Sequence, residues 1–273
     1  MGMKMKELFK KILFKKLSKT NIVIGRVTPK EKVASLIKKL HPYQFGNGLI
    51  RIGPNRDGGY LVPDDLKDIE ACFSPGVDTM SEFELGCLNK GMKIYLADNS
   101  VTKVNLNISP DKYHFIKKHV GCTNNSDFTT LDQWVNSSNL NNDSDLLLQM
   151  DIEGGEYAVL INVSDALMKR FRILVIEFHS LEKLWNPEFF HFAEMVFNKI
   201  LQTHSCVHIH PNNCYENDFR LGIEIPKIAE FTFIRSDRLK SHNYETQFPH
   251  ELDRNNHEKY KPVVLPKNWY KSS

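Results

Sequence analysis

The chain is short of the features that staple a fold together, cross a membrane or grip polyphosphates. Its 273 residues include five cysteines, Cys72, Cys87, Cys122, Cys206 and Cys214, with no CxxC pair and an odd one left over. That count and spacing argue against a disulfide framework or a zinc site and predict reduced thiols in a cytoplasmic protein. No apolar run approaches the length that spans a bilayer, and lysines interrupt every apolar stretch near the N-terminus, so no signal peptide is expected there. A spread of excess positive charge is missing as well. The net charge is +3, but seven lysines face only Glu7 within residues 1–20, which leaves 29 basic and 32 acidic residues in the rest of the chain. A mildly acidic body lacks the basic face that displaces counterions from phosphates, so no nucleic-acid partner is expected. Nor is there a GxGxxG fingerprint or a Walker lysine, the devices that cradle a pyrophosphate or triphosphate.

What is present is a regular succession of elements. Residues 3–19 have leucine, isoleucine and phenylalanine at helical spacing between lysines. They predict an amphipathic helix that docks on the domain or a partner subunit, or makes weak contact with an anionic membrane surface. Thr28-Pro29-Lys30-Glu31 reads as a capping box opening a helix that ends at His41-Pro42. Two short apolar runs within Leu49–Leu66 flank a Gly-Pro-Asn-Arg-Asp-Gly-Gly loop, a hairpin signal. From Ala71 onward strands and helices alternate. The expected strands are ACFS, KIYLAD, HVGCT, LLLQMD, ILVIEFH, CVHIH and EFTFIR. The expected helices run from Met80 to Lys90, Pro110 to Lys117, Thr130 to Asn136, Tyr157 to Lys169 and Pro187 to His204. Alternation on this scale predicts an α/β fold with a mostly parallel sheet and helices on both faces. The boundaries read as a helical extension over 1–45, one domain over 46–240 and a tail over 241–273 packed on it.

Chemistry gathers where the strands end. Phe73, Ser74, Pro75, Gly76 and Val77 form a tight turn after the first strand of the alternating region, and Glu82 enters the next helix. Asp98 and Asn99 end the following strand, where an acid can take both hydroxyls of a ribose. A ribose site without a pyrophosphate loop points to S-adenosylmethionine. Asp127 and Phe128 are placed to meet an adenine, by hydrogen bond and by ring cover. The stretch LLLQMDIEGGEYAVL then runs a buried strand straight into Asp151, Glu153 and Glu156. Two further strand ends carry Glu177 with His179 and His208 with His210, and strand ends of a parallel sheet converge on one crevice. His179, with a pKa near neutrality, is the first candidate for general base and Asp151 the second, with Glu177 beside them. The loop Arg56-Asp57-Gly58-Gly59-Tyr60 is placed to cover the crevice, so Arg56, Asp57, Tyr60, Glu153 and His210 are candidate acceptor-binding groups. Asp151, Glu177, His179 and His210 offer oxygen and imidazole ligands for Mg²⁺ or another divalent metal. Glu156 reads as an acid favoured by the dipole of the next helix.

TTLDQW (Thr129–Trp134) followed by DLLLQMDIEGGEYAVL resembles the FkbM family of S-adenosylmethionine-dependent methyltransferases. The turn at Ser74-Pro75-Gly76, Asp98 and RDGGYLVPDD are also similar to family counterparts, although Ser74-Pro75 stand where a glycine-rich segment is more usual. The resemblance covers roughly residues 50–235. It implies a class I methyltransferase (Rossmann-like) fold with an antiparallel last strand, and O-methylation of a sugar, glycan or similar small hydroxylated acceptor. A metal-dependent hydrolase built on the histidine and acid cluster, or a non-catalytic nucleotide-binding module, are the competing readings. A homo-oligomer is a further open expectation.

Overall fold

The computed structural model describes residue 20 and residues 25–77, 81–104 and 108–271. The helix expected over residues 3–19 lies outside them. The first described helix, α1 (Lys30–Lys39), buries Val33, Leu36 and Ile37. Pro29 is its N-cap residue and no side chain caps it, so the expected capping box does not form. Next, β1 (Leu49–Ile52) and β2 (Tyr60–Pro63) pair antiparallel as a hairpin.

The main sheet begins with β3 (Ile69–Pro75), followed by α2 (Glu82–Asn89), β4 (Lys93–Ala97) and β5 (Tyr113–Ile116). A helix was expected over Pro110–Lys117 and a strand at His119. Instead Pro110–Lys112 makes one 3-10 turn, and Tyr113–Ile116, rich in the aromatic and β-branched residues that favour strands, takes the strand. His119 falls in β6 (His119–Gly121), which pairs with β7 (Phe128–Thr130) in a separate two-stranded ribbon. There follow α3 (Leu131–Ser137), β8 (Asp145–Met150), α4 (Glu156–Asn162) and α5 (Asp165–Arg170). One helix was expected across the last two; Ser164 breaks it by accepting a hydrogen bond from the Leu167 N–H and so starting a new helix. The chain continues through β9 (Phe171–Phe178), α6 (Pro187–Leu201), β10 (His204–Pro211), the small hairpin β11 (Asp218–Arg220) and β12 (Ile223–Ile225), and β13 (Ala229–Arg235).

The strand order is β10-β13-β9-β8-β3-β4-β5. β3, β4, β5, β8 and β9 pair in parallel, and β13 runs antiparallel between β9 and β10. This is the class I methyltransferase arrangement, with the antiparallel strand laid down last. The period of two sends Leu146, Leu148 and Met150 of β8 into one core layer and Leu147 into the other. Burying each leucine fully stabilises the fold by about 1.5–3 kcal/mol. The first layer is covered by α1, α3, α4, α5 and α6. The second is covered by α2 and the β1–β2 hairpin, so helices lie on both faces as expected, joined on this one by the hairpin. The tail is part of the core: Trp269 is fully buried and its indole N–H donates to the Glu224 carbonyl at 3.0 Å.

Candidate active site

The parallel strands deliver their carboxyl ends to one crevice, a cavity of about 640 Å³ lined from the hairpin loop by Asp57 and Tyr60, from β3 by Gly76, from β4 by Asp98, and from β8 by Gln149 and Asp151. Gly76 has φ 84°, and a Cβ there would lie 1.7 Å from the Asp151 carbonyl oxygen. The turn therefore needs glycine first because the ends of β3 and β8 press together, before any ligand is considered. At the end of β4, Asp98 is buried and its Oδ1 accepts from the Ser100 N–H and hydroxyl, both at 2.7 Å. Both bonds end on one oxygen, and among the described residues the other accepts no hydrogen bond.

The floor is a buried polar chain that the sequence reading missed. Ser74 Oγ lies 2.5 Å from Glu84 Oε1 and 2.6 Å from Gln149 Oε1, and Gln149 Nε2 donates to the Tyr60 hydroxyl at 3.3 Å. One hydroxyl has a single proton for two acceptors. Burial raises the Glu84 pKa. Its signal was the alternation FSP and LQM, polar residues inside apolar strands.

After β8, DIEGGE makes a hard turn. Glu153 takes φ 55° and Gly154 φ 99°, a left-handed pair that costs of order 1 kcal/mol at the non-glycine position. Glu156, fully buried, ties the turn down: its Oε1 accepts from the Ile152 N–H at 3.2 Å and the Gly154 N–H at 3.0 Å. The same oxygen lies 3.1 Å from His179 Nδ1. Glu156 thus does more than meet a helix dipole; it orients the imidazole, which itself does not line the cavity, and leaves Nε2 facing two acids that do. Nε2 is 3.4 Å from Glu153 Oε2 and 3.9 Å from Asp151 Oδ1. Burial alone would lower the His179 pKa, but the Glu156 bond and the charges of Asp151 and Glu153 outweigh it and hold it above the ordinary value. Burial pushes Asp151 up to about 6, against the pull of His179 and a side-chain hydrogen bond with Glu177. Burial and the neighbouring Asp151 and Glu230 hold Glu177 well above the carboxylate range. The structure therefore brings His179, Asp151 and Glu177 together.

Other candidates land elsewhere. Phe73 faces the core, stacked on Tyr95 at 4.7 Å and edge-on to Trp134, and Val77 is buried in the other layer. Pro75 contributes its carbonyl to the Asp151 N–H at 3.5 Å. Arg56 and Glu82 pair with each other at 3.2 Å, outside the cavity lining. Asn99 is half-buried and Asp127 exposed, and neither lines the cavity, whereas Phe128 does. The proposed four-ligand metal set does not assemble. Asp151 and His179 group with Glu156, Glu177 groups with Asp57 and Glu230, and His210 turns to Asp253 of the tail, with Nδ1 3.5 Å from Oδ1. His208 Nε2 meets the same Oδ1 at 2.9 Å, so the His-x-His pair clamps the tail and does not enter the crevice.

Residues 123–245 match the model of the methyltransferase FkbM domain. The match starts just before β7, so it includes Asp151, Glu156, Glu177 and His179, while Gly76 and Asp98 precede it. The TTLDQW segment within the matched residues is accounted for structurally. The Thr130 hydroxyl accepts from the Gln133 N–H to cap α3, Asp132 accepts from Ser164 N–H and Oγ, and Trp134 is buried. The fold is similar to fibrillarin, a pre-rRNA processing protein of Methanococcus jannaschii, at 11% identity over 69% of this chain and 71% of that one, with a TM-score of 0.36. It is also similar to a protein of Pyrococcus horikoshii assigned as an RNA methyltransferase, at 13% identity over 76% and 99% of the two chains, with a TM-score of 0.35. Neither likeness bears on the acceptor. Curated proteins gave no match.

Methylation by an FkbM domain draws on S-adenosylmethionine, and the crevice fits that group. It offers Asp98 for ribose hydroxyls, Phe128 at the mouth for an adenine face, and carboxylates for a sulfonium charge. Among the described residues, no helix is long and apolar enough to cross a membrane.

Proposed function

We propose that the protein O-methylates a hydroxyl of a sugar, glycan or similar small uncharged acceptor, with His179 as the general base. The observation that carries this reading is the His179 imidazole, held at Nδ1 by buried Glu156 with Nε2 beside Asp151 and Glu153, two acids that line the crevice. Bound S-adenosylmethionine supplies the electrophilic methyl group. His179 Nε2 takes the proton that the acceptor hydroxyl loses as its oxygen bonds to that methyl, a contribution of about 10²–10⁴-fold. Asp151 and Glu153 sit beside the imidazole and stabilise its charged form. Asp57, Tyr60 and Glu153 line the acceptor side, and Asp98 orients the cofactor ribose, so that the reacting atoms meet in line.

The lining supports an acceptor without negative charge. Asp57, Glu84, Asp98, Asp151 and Glu153 all face the cavity, and among the described residues no lysine or arginine does. Such a surface repels phosphates and carboxylates and so disfavours nucleic acid. Incubation with S-adenosylmethionine and a panel of neutral sugars, glycans and sugar phosphates tests this. A neutral compound gaining the mass of one CH₂ supports it, and transfer confined to phosphorylated acceptors overturns the acceptor class. Calorimetry with S-adenosylhomocysteine tests the cofactor half: absent binding by folded protein overturns it, and unchanged binding in Asp98→Ala removes the ribose role.

A further inference from the structure

The connection between β10 and β13 leaves the sheet from the edge that carries the crevice. Pro211 closes β10 opposite Ala229, and Ala229 opens β13 opposite Phe178, the residue before His179. Within this connection β11 and β12 form a hairpin whose two-residue turn, Leu221-Gly222, has φ 52° and 79°. Positive φ at both positions is the geometry that favours Asn-Gly, so a leucine at the first is strained. Packing does not compensate for it. Leu221 is 54% exposed, and Phe219 at 72% is the most exposed large apolar side chain among the described residues. Ile223 and Ile225 of the same hairpin are buried, so one face anchors the ribbon and the other presents Phe219, in register with Glu224. Phe219 also shares a surface groove with Pro262 and the half-exposed Val264 of the tail.

The second observation is charge. The chain enters the described domain beside this hairpin. The Thr28 N–H donates to the Trp185 carbonyl at 2.8 Å, and the Arg220 guanidinium lies 6.0 Å from the centre of the Trp185 ring. Lys30 Nζ stands 3.3 Å from where a Cβ on Gly222 would lie. Arg26, Lys30 and Arg220 are exposed, and residues 1–20 before them hold seven lysines against Glu7 alone. The hairpin's own acids are half-buried: Asp218 Oδ1 lies 4.0 Å from Arg220 Nη2, and Glu224 accepts from Asn217 at 2.9 Å. Apolar side chains on a protruding turn and a lysine-rich segment are two signals that together hold a protein on anionic lipid, where either alone binds weakly. We propose that the β11–β12 hairpin tip and the lysine-rich segment dock the protein on an anionic lipid surface. Phe219 and Leu221 enter the headgroup layer, and Arg26, Lys30 and Arg220 meet lipid phosphates. Docking sets the carboxyl edge of the sheet, and with it the crevice, beside the lipid. This surface goes beyond the methyl-transfer reading and does not rest on it.

Full-length protein is mixed with vesicles of phosphatidylcholine alone and of phosphatidylcholine with phosphatidylglycerol. Binding is read by flotation, and Tm and light scattering are recorded for each variant. The expected result is binding to the anionic vesicles only, weakened by salt. Phe219→Ser combined with Leu221→Asn should lower the apparent affinity at least about tenfold. Leu221→Asn alone should weaken binding less and leave Tm unchanged or higher, because asparagine suits the turn, so the test stands even where Phe219→Ser disturbs the hairpin. Replacing Lys4, Lys6, Lys10 and Lys11 by glutamine should lower affinity and flatten the salt dependence. No binding of anionic vesicles by the wild type, or equal binding by both hairpin variants, overturns the proposal. Equal binding with a fall in Tm assigns the patch to a segment of this chain that covers it. Wild-type dimers that become monomers in the hairpin variants, with no vesicle binding, assign it to a second copy. Either result overturns the lipid surface.

Discussion

At the amino ends of β8 and β9, Asp145 accepts from Arg172 at 2.6 Å and is held by Arg235, while Arg238 holds Asp65 at 2.7 Å. At the carboxyl ends of the same two strands, Asp151 and Glu177 have no such partners among the described residues; their neighbours are His179 and more acids. Asp145 lies below the ordinary carboxylate range because arginine overrules burial, whereas Asp151 and Glu177 lie above it because burial prevails. One edge spends its charges on holding strands in register. The other keeps unneutralised groups beside a cavity, a costly arrangement for stability that suits a binding or reacting site.

The largest effect should come from breaking the neutralised edge. Arg172→Ala leaves Asp145 partly unpaired and should cost about 3–5 kcal/mol, read as a fall in Tm, with kcat almost unchanged in the folded fraction. On the other edge, His179→Ala should lower kcat by about 10²–10⁴ while Tm and S-adenosylhomocysteine affinity stay near the wild-type values. A base must be unprotonated, and the His179 pKa is raised, so the ascending limb of kcat/KM should lie above the ordinary histidine value of about 6.5. Glu156→Gln removes a charge that raises it and should move that limb to lower pH. The sign for stability is opposite: the contribution of a raised histidine is present below its unfolded value and lost as pH rises through the folded one.

The tail clamp supplies a smaller effect. Burial would raise the Asp253 pKa, but His208 and His210 facing it drive it far below the usual range. Its contribution is therefore complete above the unfolded value near about 3.9 and lost as pH falls toward the folded one. Asp253→Asn should cost about 1–3 kcal/mol at neutral pH and remove that part of the acid sensitivity of Tm. Smallest of all, Glu153→Gln, whose carboxylate is largely exposed, should change kcat less than about threefold and leave the His179 limb nearly in place.

Much of the main sheet was legible because buried parallel strands such as LLLQM and ILVIEF are continuous apolar runs with glycine or polar breaks after them. The third strand was not, since YHFI and HVGCT look alike and only pairing with β4 selects the first. The cluster of His179, Asp151 and Glu177 was legible as acids and histidine at strand ends. The roles of His208 and His210 were not, because an identical-looking pair on β10 meets Asp253, which lies 45 residues from His208 along the chain.

The sequence by itself determined the alternation, the acid-rich strand ends and the glycine at position 76, because these follow from local periodicity and backbone sterics. Tertiary structure decided which histidine meets Asp151 and Glu156 and which face the tail, whether an acid meets arginine or another acid, and where Asn256 of the tail inserts. Those outcomes depend on groups far apart in the chain, and burial fixes their charge only after the fold has brought them together.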